Sequence, residues 1–268
     1  MTLTDYTNSN RVHWNARTAV NAARYDIAGF KVGKSTLNPI ELEELNDVAG
    51  KSMLHLQCHF GLDTLSWARL GAHVTGVDFS DDAIALAERL TQETGLDARF
   101  ICTDIYKLTQ VLEDKFDIIY TSGGVLFWLS DLGQWAKIIA HFLKPGGILY
   151  LQEEHPFLNV FDDSDDVTEL HTCYPYFHTG QPIRIEGFLP FSDPAANQRS
   201  VEYSWSFSFS DILNALIAAG LRLDYLHEFS HGSNRRFPFM VQSEEGRWRW
   251  KDATNNIPLT FSLQATKE

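Results

Sequence analysis

The sequence predicts a doubly wound α/β fold: a mostly parallel sheet of about seven strands, the last antiparallel, with an insertion after the fifth. Three observations carry this reading. Between residues 51 and 153, short apolar runs alternate with helical periodicities, the pattern of a parallel sheet with helices on both faces. The residues following these runs, from Gln57, Asp78, Thr103, Thr121 and Glu153 onward, are polar or small, and in such sheets ligands bind outside the carboxyl ends of the strands. Near the C-terminus Leu259, Phe261, Leu263 and Ala265 alternate with polar residues, which predicts a half-exposed antiparallel strand.

Each element has a local cause. Asn38-Pro39 supplies a cap and a first helical residue, Leu42 and Leu45 fall on one helical face, and Gly50 follows as a stop. Met53-Leu54-His55-Leu56 is a first strand and Gln57-Cys58-His59-Phe60-Gly61 its loop; Leu62, Leu65, Trp67, Ala68 and Leu70 then resemble an apolar helical face. His73-Val74-Thr75-Gly76-Val77-Asp78 is a second strand. Ser80 caps the next helix, with Asp81 and Asp82 where negative charge suits the helix dipole and Ile84, Ala87 and Leu90 as the buried stripe. Residues 99–103 and 116–122 give the third and fourth strands. Trp135, Ile138, Ile139 and Phe142 mark a helix that Lys144-Pro145-Gly146-Gly147 stops, and residues 148–152 form the fifth strand. Residues 156–199, rich in acidic, Pro, Gly and aromatic residues, read as an insertion or lid. Beyond it Tyr203, Trp205, Phe207 and Phe209 alternate as a strand, Ser210 caps a helix that Gly220 ends, and residues 221–229 add another strand. The chain thus divides into a cap segment (1–37), a core (38–155), an insertion (156–200) and a completion of the core sheet (201–268).

Composition narrows the function. With 268 residues, 44% hydrophobic and 21% charged, the chain has globular composition and ample core-forming material. Its 22 Lys and Arg stand against 35 Asp and Glu, and the net charge of −13 opposes a large phosphate-tracking surface, so nucleic acid is not an expected partner. No run of 18 apolar residues occurs, and the start has neither a basic region nor an apolar one, so neither a membrane nor export is expected. Cys58, Cys102 and Cys173 are odd in number and far apart, which fits a reducing cytoplasm without a disulfide framework. There is no H-E-x-x-H, and His171 and His178 lie in loop-like sequence, so no metal site is expected.

The strand ends carry the chemistry. The first loop keeps only Gly61 where a dinucleotide-binding loop has three glycines, and those glycines matter most for approach to a pyrophosphate, which counts against NAD. Gln57 and His59 either add side-chain bonds to a ligand or fill space in the loop. Asp78, at the end of the second strand, can accept both hydroxyls of a ribose; the competing role, helix capping, is already filled by Ser80. Asp104 can accept a bond from an adenine amino group or serve as a turn aspartate. Thr121-Ser122-Gly123-Gly124 leaves room beside the fourth strand or forms a simple turn.

In this order the motifs resemble the class I S-adenosylmethionine-dependent methyltransferases, over roughly residues 52–154. Leu54 to Gly61 stands where the family has its glycine-rich first motif, in a form similar to that of a bacterial subgroup. Gly76-Val77-Asp78-Phe79-Ser80 matches the ribose-binding segment, and Thr103-Asp104-Ile105 resembles the adenine-contacting one. Residues 116–122 look like the fourth-strand motif and Leu143-Lys144-Pro145-Gly146-Gly147 like the turn before strand five. His55 departs from a position that is usually acidic, and Gln57 and His59 replace usual glycines. The resemblance implies a Rossmann-like core and S-adenosyl-L-methionine as cofactor, held by Leu56, Gln57, Cys58, His59, Gly61, Asp78, Phe79, Ser80, Thr103, Asp104, Ile105, Thr121, Ser122 and Gly123.

Other residues bear on catalysis and closure. Glu153, Glu154 and His155 end the fifth strand; one of them either takes a proton from a methyl acceptor or simply meets solvent. Cys58 has no identifiable base and reads as a packed small side chain. Trp14, Tyr25 and Phe30 form either a flap over the cofactor or ordinary packing. Two functions follow: a methyltransferase acting on a small-molecule acceptor by direct in-line transfer, or a catalytically inactive S-adenosylmethionine-binding protein acting through a partner. Turnover separates them.

Overall fold

Capping residues set the helix starts. In the computed structural model, which describes residues 2–188, 199–244, 246–251 and 257–268, three helices precede the sheet: α1 (Leu3–Ala22), α2 (Ile27–Lys31) and α3 (Pro39–Glu44). Asn38 caps α3 through a reciprocal pair of bonds with Glu41, as Asn38-Pro39 predicts. The face it buries differs from expectation. Glu41 points inward while Leu42 is 39% exposed, and the helix ends at Glu44 rather than at Gly50.

The predicted alternation then unfolds as β1 (Ser52–Leu56), α4 (Leu62–Arg69), β2 (His73–Asp78), α5 (Asp81–Thr94), β3 (Ala98–Cys102), β4 (Phe116–Ser122), α6 (Leu132–Phe142) and β5 (Leu143–Glu154). β5 starts earlier than the sequence suggests. Phe116 pairs with Leu143 and Ile118 with Ile148, so Lys144-Pro145-Gly146-Gly147 loops out within the strand instead of preceding it. Lys144 is tied back to Asp117 at 2.9 Å.

After β5 come a ribbon of β6 (Ile183–Phe188) and β7 (Arg199–Ser204), then α7 (Phe209–Ala218) and β8 (Leu221–Phe229). A small three-stranded sheet follows, of β9 (His231–Gly232), β10 (Met240–Gln242) and β11 (Trp248–Trp250), and β12 (Thr260–Lys267) ends the chain. The expected strand through Phe209 is two things. β7 stops at Ser204, and Ser208, not Ser210, caps α7, because Asp211 reciprocates its bond at 2.8 Å. The insertion is likewise more than a loop: Leu158, Val160 and Phe161 pack with Phe237, Met240 and Trp250 into a satellite core. Its residues 189–198 lie outside the described residues.

Among the described residues the main sheet has seven strands in the order β3-β2-β1-β4-β5-β12-β8. β1 to β5 are mutually parallel, and β12 runs antiparallel to both its neighbours. β12 is less exposed than expected, however. It is inserted between β5 and β8, and on its polar face Ser262 is 0% exposed while Gln264 and Thr266 are partly exposed. One face of the sheet packs Leu54, Ile119, Leu151 and Leu263 against α6 and α7, and the other packs Met53, Ile118 and Tyr120 around Trp67. Each such side chain contributes roughly 1.5–3 kcal/mol by leaving water. The order reverses between β1 and β4, which places the ligand crevice of this topology at their carboxyl ends.

Candidate active site

The loop after β1 is shaped by the strand beside it. Cys58 N–H donates to Val77 O and Gly61 N–H to Cys58 O, both at 2.9 Å, so the chain folds back over β2. That turn needs left-handed backbone at Gln57 (φ 57°) and His59 (φ 51°), where a side chain is disfavoured, and at Gly61 (φ 75°). A Cβ on Gly61 would come within 2.6 Å of the Phe100 ring. Packing therefore requires the single glycine this loop keeps.

The turn aims backbone N–H groups at Asp78. Its Oδ2 accepts from His59 N–H at 2.8 Å and its Oδ1 from Ser80 N–H at 2.9 Å. Burial pushes the carboxyl up to about 6, and the N–H donors pull the other way. Asp104 accepts from Tyr106 N–H at 3.0 Å at the start of a 3-10 turn, so it caps that turn while facing the cleft. His59 is held neutral, its imidazole pushed down to about 3 by burial, and its Nε2 has no partner. Gln57 donates from Nε2 to Val125 O at 3.2 Å, which leaves its buried Oε1 without a donor.

These groups line one cleft of about 420 Å³, within the range of small-molecule sites. Gln57, Cys58, His59, Gly61, Asp78, Phe79, Thr103, Asp104, Ile105, Ser122, Gly123 and Trp14 all reach it, with Glu153 and Glu154. Leu56, Ser80, Thr121 and His155 stand behind its wall. Leu56 and Thr121 are core residues on adjacent strands, and Ser80 is occupied by Ala83 N–H at 3.1 Å and the Asn15 side chain at 2.7 Å. His155 accepts Phe157 N–H on Nδ1 at 3.1 Å and meets Glu228 at 2.8 Å through Nε2. Cys58 is buried, which pushes its thiol well above the usual range.

The two glutamates have unlike surroundings. Glu153 receives N–H groups from Gly124 (2.5 Å), Val125 (2.6 Å), Leu126 (3.1 Å) and Glu154 (2.7 Å), so its carboxylate clamps the loop after β4. Burial and the neighbouring Glu154 push it up to about 7 against those donors. Glu154 is paired through Oε2 with Arg236, which also donates to Asn159 at 2.8 Å.

α1 roofs the cleft. Trp14 meets His59 at 5.2 Å and Trp128 at 5.3 Å, both edge to face, and Tyr25 also reaches the cleft. Phe30 does not. It lies in the core beside Phe60 and Leu65 with the Arg69 guanidinium 4.0 Å above its ring. The sequence reading passed over Glu41, Asp63, Asn10, Trp128 and Arg236, all of which line the cleft. Glu41 and Asp63 were visible only as acids in a helix first turn, and nothing in the local pattern marks Arg236.

Residues 54–151 match the family model described as a methyltransferase domain. Over residues 54–151 the chain carries a methyltransferase domain. Its similarity to ubiquinone biosynthesis O-methyltransferases extends the same way: 34% identity over 117 residues to that of Coxiella burnetii, covering 42% of this chain and 49% of the relative. The corresponding enzyme of Xanthomonas euvesicatoria is 30% identical over 130 residues, 47% and 54% of the two chains. The chain spans about half the length of these relatives. The S-adenosylmethionine-dependent methyltransferases of Mesorhizobium loti (TM-score 0.59, 21% identity, 85% of this chain and 97% of that one) and Clostridium acetobutylicum (0.60, 17%, 94% and 96%) share its fold. The matched domain contains every strand end from β1 to β4 that lines the cleft. Its polar groups suit a cofactor without phosphates: Asp78 faces the cleft, Gln57 Oε1 lacks a donor, and Arg236 alone among Lys and Arg lines it in the described residues. Among those residues no helix is long and apolar enough to cross a membrane, and no group of three or more His, Cys, Asp or Glu is placed to hold a metal.

Proposed function

We propose that the protein is an S-adenosylmethionine-dependent methyltransferase acting on a small-molecule acceptor. The observation that carries this reading is the Asp78 carboxylate, oriented by two backbone N–H groups on the wall of a cleft within the methyltransferase domain. When bound, S-adenosylmethionine would supply an electrophilic sulfonium methyl, whose carbon an acceptor lone pair would attack in line as the carbon–sulfur bond breaks and S-adenosylhomocysteine leaves. The chain's own work is to bind, align and exclude water, and alignment of this kind is worth roughly 7–11 kcal/mol.

In this reading Asp78 accepts the ribose hydroxyls and Asp104 the adenine amino group, while the loop 57–61 and Thr103, Ile105, Ser122 and Gly123 shape the walls. The cap segment (1–37) and the described part of the insertion (156–188) cover the cleft, a reading supported by Trp14, Asn10 and Leu158 on its lining. Trp14 and Trp128 exclude water. Glu153 is a positioning residue, since four N–H donors occupy it. Glu154 is the acceptor's base: it lines the cleft, and among the described residues its Oε1 has no bonded donor. The names of the relatives support a hydroxyl as the acceptor group. Three free cysteines support a reducing cytoplasm, and the net charge of −13 supports a small acceptor over nucleic acid.

The test is release of S-adenosylhomocysteine across a library of small hydroxyl and amine acceptors. Turnover with at least one is expected, and binding without turnover would leave only a cofactor-binding protein. With an acceptor in hand, Glu154→Gln should lower turnover about 100-fold or more with S-adenosylhomocysteine affinity intact, and His155→Asn should leave the rate near wild type. Wild-type rates in Glu153→Gln, Glu154→Gln and His155→Asn together would remove this segment from catalysis.

A further inference from the structure

Two carboxylates on the cleft wall, Glu41 buried and Asp63 partly buried, lack the cation that acids taken out of water ordinarily require. Glu41, 3% exposed, accepts Asn38 N–H through Oε2 at 2.8 Å and the Tyr120 hydroxyl through Oε1. Asp63, in the first turn of α4, accepts the Thr36 hydroxyl. Both line the cleft, and among the described residues no Lys or Arg pairs with either. Neutral donors alone offset the burial of a carboxylate poorly. Burial pushes both groups upward, and the charge of Asp63 adds to it at Glu41, which reaches about 8.

Independent observations point to a ligand at the same place. His55 lines the cleft at 3% exposure; its Nδ1 meets the Thr64 hydroxyl at 2.7 Å, and its Nε2 meets no partner among the described residues. Its ring packs on Tyr120 at 4.6 Å, and Tyr120 is the donor to Glu41, so imidazole and carboxylate belong to one cluster. Burial keeps the imidazole uncharged, and it supplies no cation. The buried Gln57 Oε1 is a further acceptor without a donor. This wall is rich in acceptors and has no resident cation, the complement of a compact group carrying positive charge and several N–H donors.

We propose that Glu41 and Asp63 form an anionic seat for the primary ammonium at the amino-acid end of the cofactor. The inference rests on the S-adenosylmethionine reading above and adds to it two positions outside the strand-end segments. A sulfonium has no N–H to donate, so it does not satisfy carboxylates that need hydrogen bonds; a primary ammonium has three. Seated there, the ammonium fixes the amino-acid end and thereby the sulfonium's position along the cleft.

The test compares calorimetric affinities for three ligands. They are S-adenosylhomocysteine, its deaminated analogue lacking only the ammonium, and 5′-methylthioadenosine, which lacks the amino-acid end. Wild-type protein should bind the deaminated analogue at least about tenfold more weakly than S-adenosylhomocysteine. Glu41→Gln and Asp63→Asn should each weaken S-adenosylhomocysteine about tenfold and leave 5′-methylthioadenosine unchanged, and the double variant should not distinguish S-adenosylhomocysteine from the deaminated analogue. Equal wild-type affinity for those two ligands overturns the proposal whether or not the variants fold. Equal losses for S-adenosylhomocysteine and 5′-methylthioadenosine in the variants overturn it too, since a structural role alone acts on both. Wild-type protein that binds none of the three overturns the cofactor reading, and this inference with it.

Discussion

The binding task proposed for Asp78 and its structural task can be separated by pH. Its carboxyl is pushed up to about 6 by burial, so the folded state holds this proton more tightly than the unfolded chain, whose value is near 3.8. The contribution to stability is therefore fully present below about 4 and is lost as pH rises through about 6. Asp78→Asn should flatten that part of the pH–stability profile in urea titrations. Ribose hydroxyls donate to the ionised form, so S-adenosylhomocysteine affinity should fall as pH drops below about 6, and Asp78→Ala should weaken it at least about tenfold at pH 7.5. Unchanged affinity would remove the ribose assignment. Gly76 shows the same tight tolerance in β2: a Cβ there would lie 2.6 Å from the Phe100 ring and 2.9 Å from Cys58 Sγ. Gly76→Ala should cost about 1–3 kcal/mol, read as a lower urea midpoint at constant slope. The placement of Asp78 on the cleft wall was legible in the sequence because it follows a strand and precedes a capped helix. Glu41 was not, because a capping-box glutamate looks alike whether its carboxylate faces water or a buried tyrosine.

Elements were legible where their buried faces are apolar. α5 and α6 were read from Ile84, Ala87 and Leu90 and from Trp135, Ile138 and Phe142, and these side chains are buried as expected. α1 escaped notice since it buries Asn10, His13 and Thr18, which form no apolar stripe. It docks by hydrogen bonds instead. The Asn10 amide spans the Tyr203 backbone, donating at 2.7 Å and accepting at 2.8 Å, Ser9 donates to Val201 O at 2.9 Å, and Asn15 joins Ser80 and Asp81 at the start of α5. One helix thus bridges the ribbon of β6 and β7 to the residues beside Asp78. Asn10→Ala removes both of these hydrogen bonds to the Tyr203 backbone in a buried place and should cost about 1–3 kcal/mol of docking. Limited proteolysis checks it: cleavage within residues 3–22 should accelerate several-fold while the core resists. S-adenosylhomocysteine should slow cleavage of the same segment in wild-type protein, and identical patterns with and without it would count against a closing cap.

For the whole molecule, the expected stereochemical outcome is inversion at the transferred methyl, since a single in-line displacement needs no covalent intermediate on the chain. A chiral-methyl substrate measures it, and retention would reject the single step. The scaffold behind that chemistry was readable from sequence to an unusual depth, because a strand's end, a cap and a helix face are local: propensity and period fix them within ten or so residues. That local information determined the parallel half of the sheet, the antiparallel sense of β12 and the strand ends that meet in the cleft. It did not determine how far apart segments cover one another. Only the tertiary structure put β12 between β5 and β8, burying Ser262 on a face that its alternation assigned to water. It turned His155 toward Glu228 and away from the cleft, and it filled Glu153 with backbone donors from a loop 27–29 residues earlier. It also brought Glu41, Asp63 and His55 together from α3, α4 and β1, with no cation among them. Burial and partnership of a polar side chain depend on what arrives from elsewhere in the chain, and a one-dimensional pattern holds no record of that arrival.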